Sequence, residues 1–87
     1  MSNSIQLTLI GRSYCHLCDD LRAALVAAAQ ADGVVIELSE IDVDERPELE
    51  EEYGMLVPVL LRGGLPDGVE ICHYHFDPSA WRSAIAA

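Results

Sequence analysis

Apolar and polar positions alternate along the first stretch of the chain. Ile5, Leu7 and Leu9 are interleaved with Gln6 and Thr8, and Ile10 closes the run. A period of two marks a strand, and the added Ile10 predicts one that is largely buried. The period then changes. Leu17, Leu21, Ala24, Leu25 and Ala28 recur at spacings of three and four between Leu17 and Ala31, which marks one apolar face of a helix. Asp19 and Asp20 stand in its first turn, where acids suit the positive end of the helix dipole, and Gly33 supplies a stop. Val34 to Ile41 reads as a second strand, with Val34, Ile36 and Leu38 on one side. Glu45 to Tyr53 reads as a short acidic helix, with Pro47 in its first turn, where a missing N–H costs nothing, and Gly54 after its end.

The next apolar run, Met55 to Leu61, contains Pro58. A proline cannot donate within a sheet, so Pro58 belongs at the start of a third strand. Gly63 to Gly68 is a turn short enough to imply an antiparallel hairpin with a fourth strand, Val69 to His73. Asp77 and Pro78 form an N-cap and first-turn proline for a last helix ending at Ala86, with Trp81 and Ile85 on its inner face. The order β-α-β-α-β-β-α predicts an α/β fold. A parallel half with a right-handed crossover joins a terminal hairpin, giving a four-stranded mixed sheet flanked by helices. No repeat or linker interrupts it, and residues 1–87 are expected to form one domain.

Composition narrows the function. The net charge is −10, from fifteen acids against five arginines, with no lysine. Such a surface repels nucleic acid and anionic membranes; it reads first as an ordinary solvating acidic surface, with a basic partner as the alternative. The opening residues Met1 to Ile5 lack a basic segment and a long apolar run. No apolar run approaches the roughly 20 residues that span a bilayer. The expected location is the cytoplasm, where structural disulfides are rare and a Cys-x-x-Cys pair points to redox or metal chemistry.

The chain has three cysteines. Cys15 and Cys18 lie in Gly11-Arg12-Ser13-Tyr14-Cys15-His16-Leu17-Cys18, where the first strand hands over to the first helix. Unpaired N–H groups at a helix start favour a thiolate placed there. One helical turn brings the two sulfurs within bonding reach, with Cys15 ahead of the turn and exposed, and Cys18 inside it and more buried. Cys72, in a strand beside Ile71, reads as a core thiol. A tetrahedral zinc site would need two ligands beyond the pair. Cys72, His73 and His75 are the candidates, without zinc-like spacing.

The element order, the Cys-x-x-Cys pair and Val57-Pro58 before the third strand together resemble the thioredoxin fold. Within it the chain is most similar to short glutaredoxin-like proteins, over essentially its whole length. The resemblance implies a thiol-disulfide oxidoreductase with Cys15 as nucleophile and Cys18 as resolving thiol. It implies that Pro58 is a cis-proline packed against the pair and that Val57 offers its backbone to an extended substrate. Arg12 matches the basic residue that meets a carboxylate of glutathione in glutaredoxins. Tyr14 and His16, on either side of Cys15, complete the substrate-binding candidates. The chain departs from the family between the cysteines, where it has His16-Leu17, and after the fourth strand, where His73 to Asp77 replaces a Gly-Gly step and an acidic pair.

The expectation is a monomer with no bound cofactor, acting on protein or small-molecule disulfides, with glutathione as a candidate co-substrate. The rival from another class is a non-catalytic thioredoxin-fold binding module whose dithiol holds a metal or senses redox state.

Overall fold

A computed structural model describes residues 4–86. The elements are β1 (Ser4–Gly11), α1 (His16–Asp32), β2 (Val35–Asp42), a single 3-10 turn (Val43–Glu45), α2 (Pro47–Tyr53), β3 (Val59–Arg62), β4 (Val69–His73) and α3 (Pro78–Ala86). The sheet runs β2-β1-β3-β4. β1 pairs with β2 in parallel, while β1–β3 and β3–β4 are antiparallel. This is the α/β arrangement that the element order predicts.

β1 is central, with a strand on each side, and its residues Leu7 to Gly11 are all buried. Its alternation sorts two cores. Leu7 and Leu9 point to one face and pack with Leu21, Leu25 and Ala29 of α1, Leu60, Cys72 and Trp81. Ile10 points to the other face and packs with Val43, Leu49, Val59 and Leu61. α1 and α3 therefore cover one face and α2 the other. Thr8, buried within the sheet, keeps its hydroxyl satisfied by donating to the Gly63 carbonyl at 2.8 Å.

The helix ends follow the sequence signals. Gly33 takes the left-handed conformation at φ 66°, and its N–H donates to the carbonyls of Ala29 and Gln30. The Asp77 carboxylate accepts from the N–H groups of Ser79 and Ala80 at 3.0 and 3.1 Å, capping α3. The Trp81 indole N–H donates to Asp32 at 2.7 Å, which ties α3 to the end of α1.

Two expectations shift. The second helix is expected from Glu45, but Val43–Glu45 forms a 3-10 turn and α2 begins at Pro47. Pro47 has no N–H to continue an earlier α-helix, and the Asp42 carboxylate caps the 3-10 turn through the Asp44 N–H. On α1 the buried stripe is Cys18, Leu21, Leu25 and Ala29, while Leu17 is partly exposed. The true inward face is rotated by one residue, and it carries a cysteine at its head.

Candidate active site

The site begins with the way α1 starts. Cys15 is its N-cap, with extended backbone at φ −107° and ψ 106°. The Cys15 sulfur accepts the backbone N–H of Cys18 at 3.1 Å, and the Cys15 carbonyl accepts that of Asp19 at 3.2 Å. A sulfur thus holds the place that a serine or aspartate oxygen fills in most helices. The same N–H would stabilise a thiolate once the disulfide is reduced.

Cys15 and Cys18 are disulfide-bonded, with their Cα atoms 5.2 Å apart. Cys15 is half-buried and Cys18 buried at 3% exposure, so an incoming molecule meets Cys15 first.

The turn before the pair is strained. Tyr14 sits at φ 57° and its side chain is fully exposed. A tyrosine in the left-handed region costs roughly 1–2 kcal/mol, so the surrounding structure holds it there. Beneath the pair, a Cβ added at Gly11 would lie 2.9 Å from the Cys18 sulfur. The disulfide rests against a bare stretch of β1 backbone, and glycine is what permits that approach.

Pro58 is brought to the same end of the sheet. The antiparallel register pairs Ile10 with Val59, so the next step sets Pro58 opposite Gly11. The Val57–Pro58 peptide bond is cis, as is Leu65–Pro66.

The loop Gly54 to Pro58 is held from two sides. From one side Arg12 donates to the Gly54 carbonyl at 2.9 Å. From the other the Tyr74 hydroxyl donates to the Met55 carbonyl at 2.7 Å, and the Tyr74 N–H donates to the Pro58 carbonyl at 2.9 Å. Tyr74 has φ 65°, a glycine-like backbone at the point where the resemblance leads one to expect glycine. The His75 N–H reaches back to the His73 carbonyl at 2.7 Å, closing a tight three-residue turn around it.

Arg12, which the resemblance sets against a glutathione carboxylate, has partners within the chain. Its guanidinium is engaged by Asp44 at 3.1 Å and Glu50 at 3.0 Å as well as by Gly54. Arg22 is similarly committed, to Asp19 at 2.9 Å and Glu40 at 2.5 Å. Its hydrogen bonds to Glu40 and then Asp19 push its pKa up. Both arginines line a cleft of about 230 Å³ beside Cys18, with Gly11, Ser13, Glu40 and Asp42.

His16 is exposed on the first turn of α1. Cys72 is buried at 7% exposure, and burial pushes its thiol pKa up against a backbone hydrogen bond at Asp77. His73 pairs with Glu70 at 2.9 Å and faces solvent. Among the described residues no group of three or more His, Cys, Asp or Glu side chains converges as metal ligands. Cys72, His73 and His75 thus do not join the pair in one ligand cluster.

The profile of the glutaredoxin-like domain (DUF836) matches residues 6–85. The chain belongs to this glutaredoxin-like family. No curated protein matches it. Among solved structures, protein Ne2328 from Nitrosomonas europaea is similar at 30% identity, over 92% of this chain and 89% of that one, with a TM-score of 0.79. Protein XcR50 from X. campestris shares 38% identity over 93% of this chain and 97% of its own, with a TM-score of 0.63. Mitochondrial thioredoxin 3 from Saccharomyces cerevisiae, in oxidised form, superposes with a TM-score of 0.63 at 19% identity, over 99% of this chain and 79% of that one. That likeness shows the fold. The protein is therefore a glutaredoxin-like, thioredoxin-fold protein with its Cys15–Cys18 pair closed at the head of α1, an arrangement that supports a redox-related role.

The sequence motifs single out Cys15, Cys18, Val57 and Pro58 as candidates, while Gly11, Tyr74, Asp44 and Glu50 join the site only through the fold. The glycine directly before the Cys-x-x-Cys loop was a usable signal for Gly11. Nothing in the local sequence marks Tyr74 as left-handed, since its conformation depends on partners at Met55 and Pro58.

Among the described residues no helix is long and apolar enough to cross a membrane.

Proposed function

We propose that this glutaredoxin-like protein is a cytoplasmic thiol-disulfide oxidoreductase that reduces protein or small-molecule disulfides. The carrying observation is the hydrogen bond from the Cys18 N–H to the Cys15 sulfur at the head of α1, on the more accessible of the two cysteines. In the reduced protein the Cys15 thiolate attacks one sulfur of the substrate disulfide. A Cys15–substrate bond forms, and the other substrate sulfur leaves as a thiolate that takes a proton. The Cys18 thiolate then attacks the Cys15 sulfur. The Cys15–Cys18 bond forms, and the second substrate sulfur leaves and is protonated in its turn. Two electrons pass from the protein dithiol to the substrate, and an external thiol reductant restores the dithiol.

Burial of Cys18 suits this order, because an internal attack needs no solvent access. The loop Gly54 to Pro58, fixed by Arg12 and Tyr74, offers the Val57 backbone as an edge for an extended substrate.

The test is covalent trapping. Cys18→Ser incubated with a disulfide substrate accumulates a mixed disulfide on Cys15, because nothing resolves it, and Cys15→Ser forms none. Mass spectrometry reads both. An adduct confined to Cys18 in the Cys15→Ser protein would reverse the assignment. Absence of adduct in both variants, with a metal retained through purification, would favour a binding module.

A further inference from the structure

Every charge and contact around the disulfide bears on which disulfides it can meet. Arg12 and Arg22, the arginines in the cleft beside Cys18, are each spent on two carboxylates of the same chain: Asp44 and Glu50, and Asp19 and Glu40. Arg46, farther along, is paired with Glu48. Asp20 and Asp42 add charge at the head of α1 and the end of β2. Carboxylates therefore outnumber arginines around the cleft, in keeping with fifteen acids against five arginines in the chain.

Exposed aromatic and apolar side chains stand on the segments that carry the pair and the loop before Pro58. Tyr14 is 104% exposed and Met55 90%, while Leu17 and Tyr74 are partly open. Tyr14 precedes Cys15 in the chain, and Leu17 follows two residues later, after the exposed His16. Met55 and Tyr74 are joined by their hydrogen bond, and the Tyr74 N–H fixes Pro58, which the sheet register sets opposite Gly11 beneath the disulfide.

We infer that the site takes a cationic polypeptide segment with an apolar side chain beside its disulfide-bonded cysteine, in preference to an anionic disulfide such as oxidised glutathione. This rests on the oxidoreductase reading above. Basic side chains on the partner meet the surrounding carboxylates, and its apolar side chain covers the exposed tyrosines and methionine. Arg12 and Arg22, the lining arginines among the described residues, already hold carboxylates, so an anionic ligand must compete with Asp44, Glu50, Asp19 and Glu40 for them. Steering of this kind changes association rates by about 10 to 10³-fold. It fades with salt, as the screening length falls from about 30 Å at 0.01 M to about 3 Å at 1 M.

The experiment follows thiol–disulfide exchange between the fully reduced protein and four probes. Two are peptides with an internal disulfide and a leucine beside one cysteine, flanked by lysines in one and glutamates in the other. The third replaces that leucine by serine in the lysine peptide. The fourth is hydroxyethyl disulfide, small and neutral. At low salt the lysine peptide should react about tenfold or more faster than the glutamate peptide, and the ratio should fall towards one at 1 M salt. The serine peptide should react about threefold to tenfold more slowly than its leucine counterpart, as expected for part-burial of one leucine. Equal rates for lysine and glutamate peptides, a ratio unmoved by salt, or no effect of the leucine overturns the inference while leaving the oxidoreductase reading intact. Failure of hydroxyethyl disulfide and all peptides to react overturns that reading, and this inference with it.

Discussion

Gly11→Ala tests whether the bare backbone under the disulfide is part of the redox machinery. The new Cβ would sit 2.9 Å from the Cys18 sulfur and 3.5 Å from its Cβ. Comfortable contact between such atoms begins at about 3.5 Å, so something must move by roughly half an ångström or more. Gly11 lies in regular β1, paired with Asp42, and is not among the residues with positive φ. Alanine therefore fits the backbone and would gain about 0.4–1 kcal/mol through the unfolded state. Overpacking costs about 1–3 kcal/mol, which leaves a net destabilisation of up to about 2.5 kcal/mol.

The two redox forms should not share that cost equally. In the oxidised protein Cys18 is tethered to Cys15 and cannot turn away. In the reduced protein its sulfur can rotate about χ1. If the difference reaches 1.4 kcal/mol, the disulfide becomes tenfold easier to reduce, a shift of about 30 mV. The assay is equilibration of wild type and Gly11→Ala against a graded glutathione redox buffer, with urea unfolding of both redox forms alongside. The dithiol fraction should rise in the variant, and the oxidised form should lose more stability than the reduced one. Equal losses in both forms, with an unchanged redox equilibrium, would refute the reasoning.

Three further outcomes are expected. Arg12→Ala removes two partly exposed ion pairs and the bond to the Gly54 carbonyl, and should lower stability by about 1 kcal/mol, less in high salt; urea midpoints at two salt concentrations check this, and a salt-independent loss would contradict it. Tyr74→Phe deletes the bond to the Met55 carbonyl, worth about 0.5–1.5 kcal/mol, and should slow exchange with peptide disulfides more than with hydroxyethyl disulfide; equal slowing would deny the loop a docking role. Burial raises the Cys72 pKa, so the folded chain holds that proton more tightly than the unfolded one. The stability it contributes is full below the ordinary thiol range and is lost as pH rises through the raised value. In a Cys15→Ser/Cys18→Ser background, replacing Cys72 by alanine should flatten the fall in urea midpoint from about pH 8 to pH 10, and an unaltered slope would assign that fall to other groups.

The element order and the closeness of the Cys15–Cys18 pair were determined locally, by features that act over a few residues. The shift from a period of two to one of three and four set β1 and α1, Gly33 and Asp77 marked helix ends, and Pro58 could only begin a strand. The spacing of the two cysteines across one turn placed them within bonding reach. The tertiary structure decided what depends on partners distant in sequence. Which side of α1 faces inward was settled by packing on Leu7, Leu9 and Trp81, which buried Cys18 and left Leu17 at the surface. The partners of Arg12 stand 32, 38 and 42 residues away, so no local pattern could show that its charge is spent on Asp44 and Glu50 and its reach on Gly54. Tyr74 is held left-handed by bonds to a loop 16 to 19 residues earlier in the chain, contacts that exist only once β3 and β4 have paired. Local propensity and period are written in neighbouring residues; electrostatic pairing and close approach are properties of side chains that only the folded chain brings together.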